Sequence, residues 1–181
     1  MYPEKHLKDL KSSDRKSRIF DNVFVAILFL ISFVFFGPII HELGHIAMLE
    51  FKGCNYLFNI GFMFPHGIHA EVSPLCAIKP GYLVLFYSIG YLLTLSIGVG
   101  LNLIGSIQRN KKYSSDLIAI GTGMLLSVIL TIGVEGDIQN ALEVMNLDPS
   151  YSSWISLLII FVVFAGSIQG IQHLLGLERQ E

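Results

Sequence analysis

Charge is what this 181-residue chain lacks most: Asp, Glu, Lys and Arg together make up 14% of it, where an ordinary soluble domain carries about a quarter. The hydrophobic share is 52% and the mean hydropathy is +0.61, which points away from a water-soluble domain and excludes a disordered or acidic tail protein. No excess of either sign compensates. The formal net charge is -2 with a pI near 6.3, so nucleic acid is excluded as a partner. Two cysteines are too few for a disulfide-dense scaffold or a four-cysteine zinc module. Internal repeats and low-complexity tracts are also absent.

What the chain has instead is long uncharged runs. Val23 to Ile40 is the first, too long for a signal-peptide core and followed by His-Glu rather than a small-residue cleavage site, so it is expected to be a retained span whose pattern continues through Leu49. Three more are expected at Tyr82 to Leu103, Leu117 to Val134 and Trp154 to Leu175. The sequence therefore predicts an all-α membrane protein of about four transmembrane helices. It divides into a polar juxtamembrane tail (1–22), one transmembrane domain (23–175) and a short C-terminal tail (176–181). The lipid bilayer is its first partner. The connection after the first span is too long for a simple turn, and its segments Tyr56 to Phe64 and Ile68 to Ser73, around Pro65-His66-Gly67, are expected to pair as a short β-hairpin. Six Lys and Arg precede the first span. Two (Lys52, Lys79) follow it, three (Arg109, Lys111, Lys112) separate spans two and three, none separates spans three and four, and Arg179 ends the chain. This asymmetry places both termini in the cytoplasm and the loop from Phe51 to Gly81 outside.

At the end of the first span stands His41-Glu42-Leu43-Gly44-His45. Two histidines four apart project from one helical face, and the glutamate one step round reaches a water on a metal they share, which is the H-E-x-x-H zinc pattern. An ionisable group inside a bilayer costs about 2.5–3.5 kcal/mol on insertion scales, so three in five residues beside an apolar run call for a function. The plainer reading is a helix end whose polar residues meet the interface. A catalytic zinc usually takes three protein ligands and a water. Glu71, His66, His69, Cys54, Cys76, Glu135, Asp137 and Glu143 are the candidates for the third. Depth favours Asp137: His41 lies 18 residues past Val23, His45 22 past it, and Asp137 20 past Leu117. Spans one and three run the same way, so at about 1.5 Å per residue all three side chains reach one level, roughly 30 Å from the opposite face. Glu135 and Glu143 remain rivals, since other zinc peptidases use a glutamate. Asn140, one turn beyond Asp137 if the helix continues, is a candidate to shape the site or bind a substrate carbonyl.

These residues resemble the site-2 protease family of intramembrane zinc metallopeptidases. The resemblance rests on His41-Glu42-Leu43-Gly44-His45 after an apolar span, on Phe51-Lys52-Gly53 where the family helix runs out, and on Asp137 near the end of a later span, and it covers roughly residues 30 to 140. It implies one zinc ion held by His41, His45 and Asp137, Glu42 as general base, and cleavage of a transmembrane or membrane-associated protein substrate presented beside membrane-embedded strands. Gly136-Asp137-Ile138-Gln139-Asn140 replaces the usual Asn-Pro...Leu-Asp-Gly sequence, which is more like the small, divergent branch, and no PDZ or nucleotide-sensing domain fits in this length. The competing reading is a zinc-binding membrane scaffold without catalysis. A metal-ion transporter is disfavoured because spans two and four contain no acidic residue.

Lesser features carry lesser expectations. His66, His69 and Glu71 form either a second metal site or a polar loop. Cys54 and Cys76 either pair or remain free thiols. Pro38 removes the bond to the Val34 carbonyl and is expected to kink the first span. Gly166 and Gly170, with Gly90, Gly98, Gly100, Gly121 and Gly123, suit close helix packing. The edge of Tyr56 to Phe64 is the expected dock for an unwound substrate.

Overall fold

The computed structural model describes residues 21–63, 67–108, 110–134 and 136–174, and the side chains of most of these. The tail up to residue 20, the hairpin tip with Pro65 and His66, Arg109, Glu135 and the C-terminal residues from Leu175 lie outside the described residues, as do the side chains of His69 and His173. The chain is a membrane protein with four helices long and apolar enough to cross a bilayer: Asp21–Phe51, Pro80–Ile107, Tyr113–Ile132 and Tyr151–Ile168.

The first of these is built from α1 (residues 21–31), a π-helical turn Ser32–Phe36 and α2 (Gly37–Phe51). The turn is the structure's answer to Pro38. Instead of a broken helix, the Gly37 N–H donates back to the Ser32 carbonyl, five residues away, and the proline sits in the first turn of α2, where its missing donor costs nothing. At the other end α2 stops in a Schellman cap. Gly53 takes φ +64°, its N–H reaches the Glu50 carbonyl at 3.0 Å, and the Cys54 N–H reaches Leu49 at 2.9 Å.

Strands β1 (Tyr56–Met63) and β2 (Gly67–Pro74) follow, paired antiparallel with Tyr56 opposite Pro74 and Met63 opposite Gly67. A disulfide between Cys54 and Cys76 closes the open end of this hairpin, so the cysteines left open by the sequence are paired. Ala70 and Val72 turn inward from β2, and Val72 joins Met48, Leu49, Cys54 and Phe86 in a small apolar core beneath the sheet. Helix α3 (Pro80–Ile107) then crosses back, α4 (Lys111–Val134) returns, α5 (Asp137–Val144) is a short turn of chain, and α6 (Tyr151–Leu174) is the last span.

Helix α4 is the centre of the bundle. In its apolar window 56% of residues are buried, against 11% for α6 and 17% for the first span, whose remaining surface is left for lipid. Small residues admit its neighbours: Gly98 and Gly105 of α3 lie on Leu125 and Ile118, Gly123 lies on Phe29 and Ser32, and Gly170 of α6 lies on Thr122. Gly100 meets nothing and Gly166 makes only ordinary contact with Leu125, so the expected small-residue face on α6 is carried by Gly170.

Candidate metal centre

Helix α2 presents His41 and His45 one turn apart, with 0% and 3% of their surfaces exposed. Backbone contact puts them there. Gly44 lies against Gly90, where a Cβ on Gly44 would stand 3.0 Å from the Gly90 Cα, so α2 and α3 approach without side chains between them. The His41 ring then meets Tyr91 edge-on at 4.5 Å and the His45 ring meets Phe86 at 4.6 Å. Both imidazoles are thereby walled by aromatic groups, with their Nε2 atoms 3.1 Å apart.

Asp137 reaches them from α5. Helix α4 does not continue through it. Gly136 adopts φ +64°, which lets the chain turn and restart as α5 with Asp137 in its first turn, where a carboxylate suits the helix dipole. Its Oδ2 stands 3.1 Å from His41 Nε2 and 3.1 Å from His45 Nε2. Asp137 is itself buried. That burial acts to raise its carboxyl, but the hydrogen bonds and charge of His41 and His45 outweigh it and hold the pKa below the ordinary carboxylate value.

Three ligand-type atoms thus form a triangle with 3.1 Å edges. Protons alone do not satisfy it: each Nε2 carries at most one hydrogen and the carboxylate none, so at most two of the three edges are hydrogen bonds. A metal ion would account for all three. With bonds of 2.0–2.1 Å a tetrahedral zinc has ligand–ligand edges of about 3.3 Å, close to the observed triangle, and two imidazoles with one carboxylate are a donor set zinc accepts. Glu42 belongs to the same cluster. One ligand-type atom from each of His41, Glu42 and His45 lies within 4.8 Å of the others, and the glutamate is 3% exposed.

A cavity of about 400 Å³ opens on this cluster, bounded by Glu42, His45 and Asp137, by Phe86 and Tyr87 of α3, by Asn140, and by Ala70 to Pro74 of β2. The structure brings His41, Glu42, His45 and Asp137 together. Asn140 borders the same cavity from α5, one turn past Asp137, although the helix it was expected to share with the third span ends before them. The other third-ligand candidates sit elsewhere. Glu143 is exposed and accepts a hydrogen bond from Gln139 at 3.1 Å, Cys54 and Cys76 are bonded to each other, and Glu71 is exposed on the cavity wall. The strand beside the site is β2, whereas the sequence points to the edge of β1.

Phe86, Tyr87 and Gly90 escape a sequence reading of the site. A signal exists only for Gly90, as a small residue inside a span, and it does not say which side chain requires the space. Compared with protein-family models, with curated proteins and with solved structures, the chain finds no match.

Proposed function

We propose that the chain is an intramembrane zinc metalloprotease of the site-2 protease type, hydrolysing peptide bonds of membrane-associated proteins. The observation that carries this reading is the triangle of His41 Nε2, His45 Nε2 and Asp137 Oδ2 with 3.1 Å edges, beside a buried glutamate at the wall of a cavity. His41, His45 and Asp137 would hold the zinc, which when bound would supply a Lewis acid and make a water acidic enough to ionise near pH 7. A Glu42 carboxylate oxygen takes the proton from the attacking water. It then delivers that proton to the amide nitrogen as the C–N bond breaks, so one water is consumed and one acid and one amine are released. Phe86, Tyr87 and Val72 supply the apolar part of a cavity wall that otherwise carries carboxylates, His45, Ser73 and Asn140. Asn140 borders the cavity, and its amide would serve as a donor to a substrate carbonyl. A helical substrate hides its carbonyls and must unwind, and the border of β2 offers backbone groups to an extended segment.

Orientation belongs to the same reading. The Lys and Arg count places both termini in the cytoplasm, and the Cys54–Cys76 disulfide of the hairpin supports a non-cytoplasmic, oxidising side for the site.

The test is zinc content and cleavage measured together on detergent-purified protein, with a proteome-derived peptide mixture as probe and products read by mass spectrometry. Wild type and Glu42→Gln are expected to hold about one zinc, His41→Ala and Asp137→Ala to lose it, and only wild type to cut. Wild type without zinc, or full activity in Glu42→Gln, overturns the proposal. Zinc retained with no cleavage in wild type returns the chain to the non-catalytic scaffold reading.

A further inference from the structure

The cavity wall is electrically one-sided. Among the described residues its carboxylates are Glu42, Asp137 and Glu71, and neither lysine nor arginine borders it. A dication at the histidines would be balanced by Asp137 and Glu42, which leaves Glu71 as the wall carboxylate that no described lysine or arginine neutralises. Glu71 also differs in position. It projects from β2 between Ala70 and Val72, which are 1% and 8% exposed, so the strand's period of two turns Glu71 and Ser73 to the opposite face from the core. There the Ser73 hydroxyl donates to Glu71 Oε1 at 3.4 Å. The residue opposite on β1 is the uncharged Asn59, and no lysine or arginine among the described residues pairs with Glu71.

A carboxylate on the rim of a partly apolar cleft attracts cations more strongly than one in open water, because the low-dielectric walls screen it less. Five consecutive residues of β2, Ala70 to Pro74, border the cavity, so a peptide lying along them is extended and its side chains alternate with the same period as the strand. Every second side chain of that peptide shares the face that bears Glu71. We propose that Glu71 is a specificity residue that selects peptides carrying lysine or arginine beside the bond held at the metal centre. This rests on the proteolytic reading above for the substrate being a peptide.

The experiment uses the full chain, zinc-loaded and in detergent, as the Glu42→Gln variant so that binding is read without cleavage. The probes are ten-residue peptides of Ala, Leu and Ser, each with one Lys, one Glu or neither, the variable position moved along the chain. The Lys peptide is expected to bind at least about threefold more tightly than the neutral one in one register and the Glu peptide more weakly, a modest ratio because the pair is partly exposed. Adding Glu71→Gln should abolish the ratio, and Glu71→Lys should invert it. Equal binding of all three peptides, a Lys preference that survives Glu71→Gln, or no binding of any peptide overturns the assignment. Wild-type protein incubated with the same peptides separates the two ideas. Cleavage without charge preference leaves proteolysis standing and removes Glu71, whereas a Glu71-dependent preference without cleavage keeps Glu71 as the selector and removes proteolysis.

Discussion

The imidazole of His41 lies directly against the α-carbon of Gly90: a methyl group built there would stand 2.6 Å from Nε2 and 2.7 Å from Cδ2 and Cε1. His41 has no room to retreat, since it is fully buried and Tyr91 meets its ring at 4.5 Å. Gly90→Ala is therefore expected to push the ring out of the triangle and weaken zinc binding by roughly tenfold or more, as loss of ligand support commonly does. Overpacking should also destabilise the fold by about 1–3 kcal/mol. Competition with a chromophoric chelator measures the first and thermal unfolding the second. Gly100→Ala, where an added Cβ meets nothing within 4 Å, is the control and should change neither. Unaltered zinc affinity in Gly90→Ala would show that α3 does not position the histidine.

Gly136 calls for a different kind of prediction, because its cost is in the backbone alone. Its φ is +64° and no atom lies within 4 Å of a Cβ placed there. Gly136→Ala should cost about 1–2 kcal/mol through the left-handed conformation, and Gly136→Asn less, because asparagine tolerates it. The expected order of thermal stability is Gly, Asn, Ala. Zinc affinity should follow that order, since the turn aims Asp137 at the histidines. Affinity that ignores the order would mean Asp137 is held by α5 packing and not by the turn.

Much of this arrangement is legible in the amino-acid sequence, for identifiable reasons. Apolar runs of span length announce themselves in composition, and periodicity alone puts His41 and His45 on one helical face with Glu42 one step round. Asp137 is reachable because depth in a bilayer is a shared coordinate: residues equally far along two parallel spans meet at one level. The walls of the cavity have no such coordinate. Whether β1 or β2 borders the site depends on how the hairpin folds over α2, and that is decided by burial of Ala70 and Val72, alternation that either strand of a short hairpin can supply. The π turn at Ser32–Phe36 is hidden for a related reason. A proline signals that a hydrogen bond is missing without saying whether the helix will kink or take in an extra residue.

Removing the metal should expose the charge balance at Asp137. Chelation is expected to lower the unfolding temperature, and readdition of zinc to restore it by mass action. In the metal-free protein the lowered pKa of Asp137 sets the sign of an acid effect. The folded carboxylate prefers its charged form, so its stabilisation is fully present above the ordinary carboxylate value of about 4 and disappears as pH falls through the lower folded value. Metal-free wild type should lose stability across that acid range, and Asp137→Asn should lose less. Parallel stability curves below about pH 4 for the two proteins would refute the coupling between Asp137 and the histidine pair.

The Cys54–Cys76 disulfide should separate the wall of the cavity from its metal centre. It ties the residue after α2 to the segment before α3, closing a loop of sequence separation 22 that holds both strands. A cross-link of that length stabilises by up to roughly 3 kcal/mol through the unfolded chain. The histidines and Asp137 are carried by helices outside this loop. The Cys54→Ser, Cys76→Ser double variant, or wild type treated with a dithiol, should therefore unfold at lower temperature and bind extended peptides more weakly, while zinc affinity stays within about twofold because the helix-borne ligands are untouched. Peptide binding unchanged on reduction would remove β2 from substrate recognition, and loss of zinc would mean that the hairpin braces α2 directly. The same cysteines report orientation. In intact cells a membrane-impermeant thiol reagent should label them only after reduction, and labelling confined to lysed cells would turn the site towards the cytoplasm.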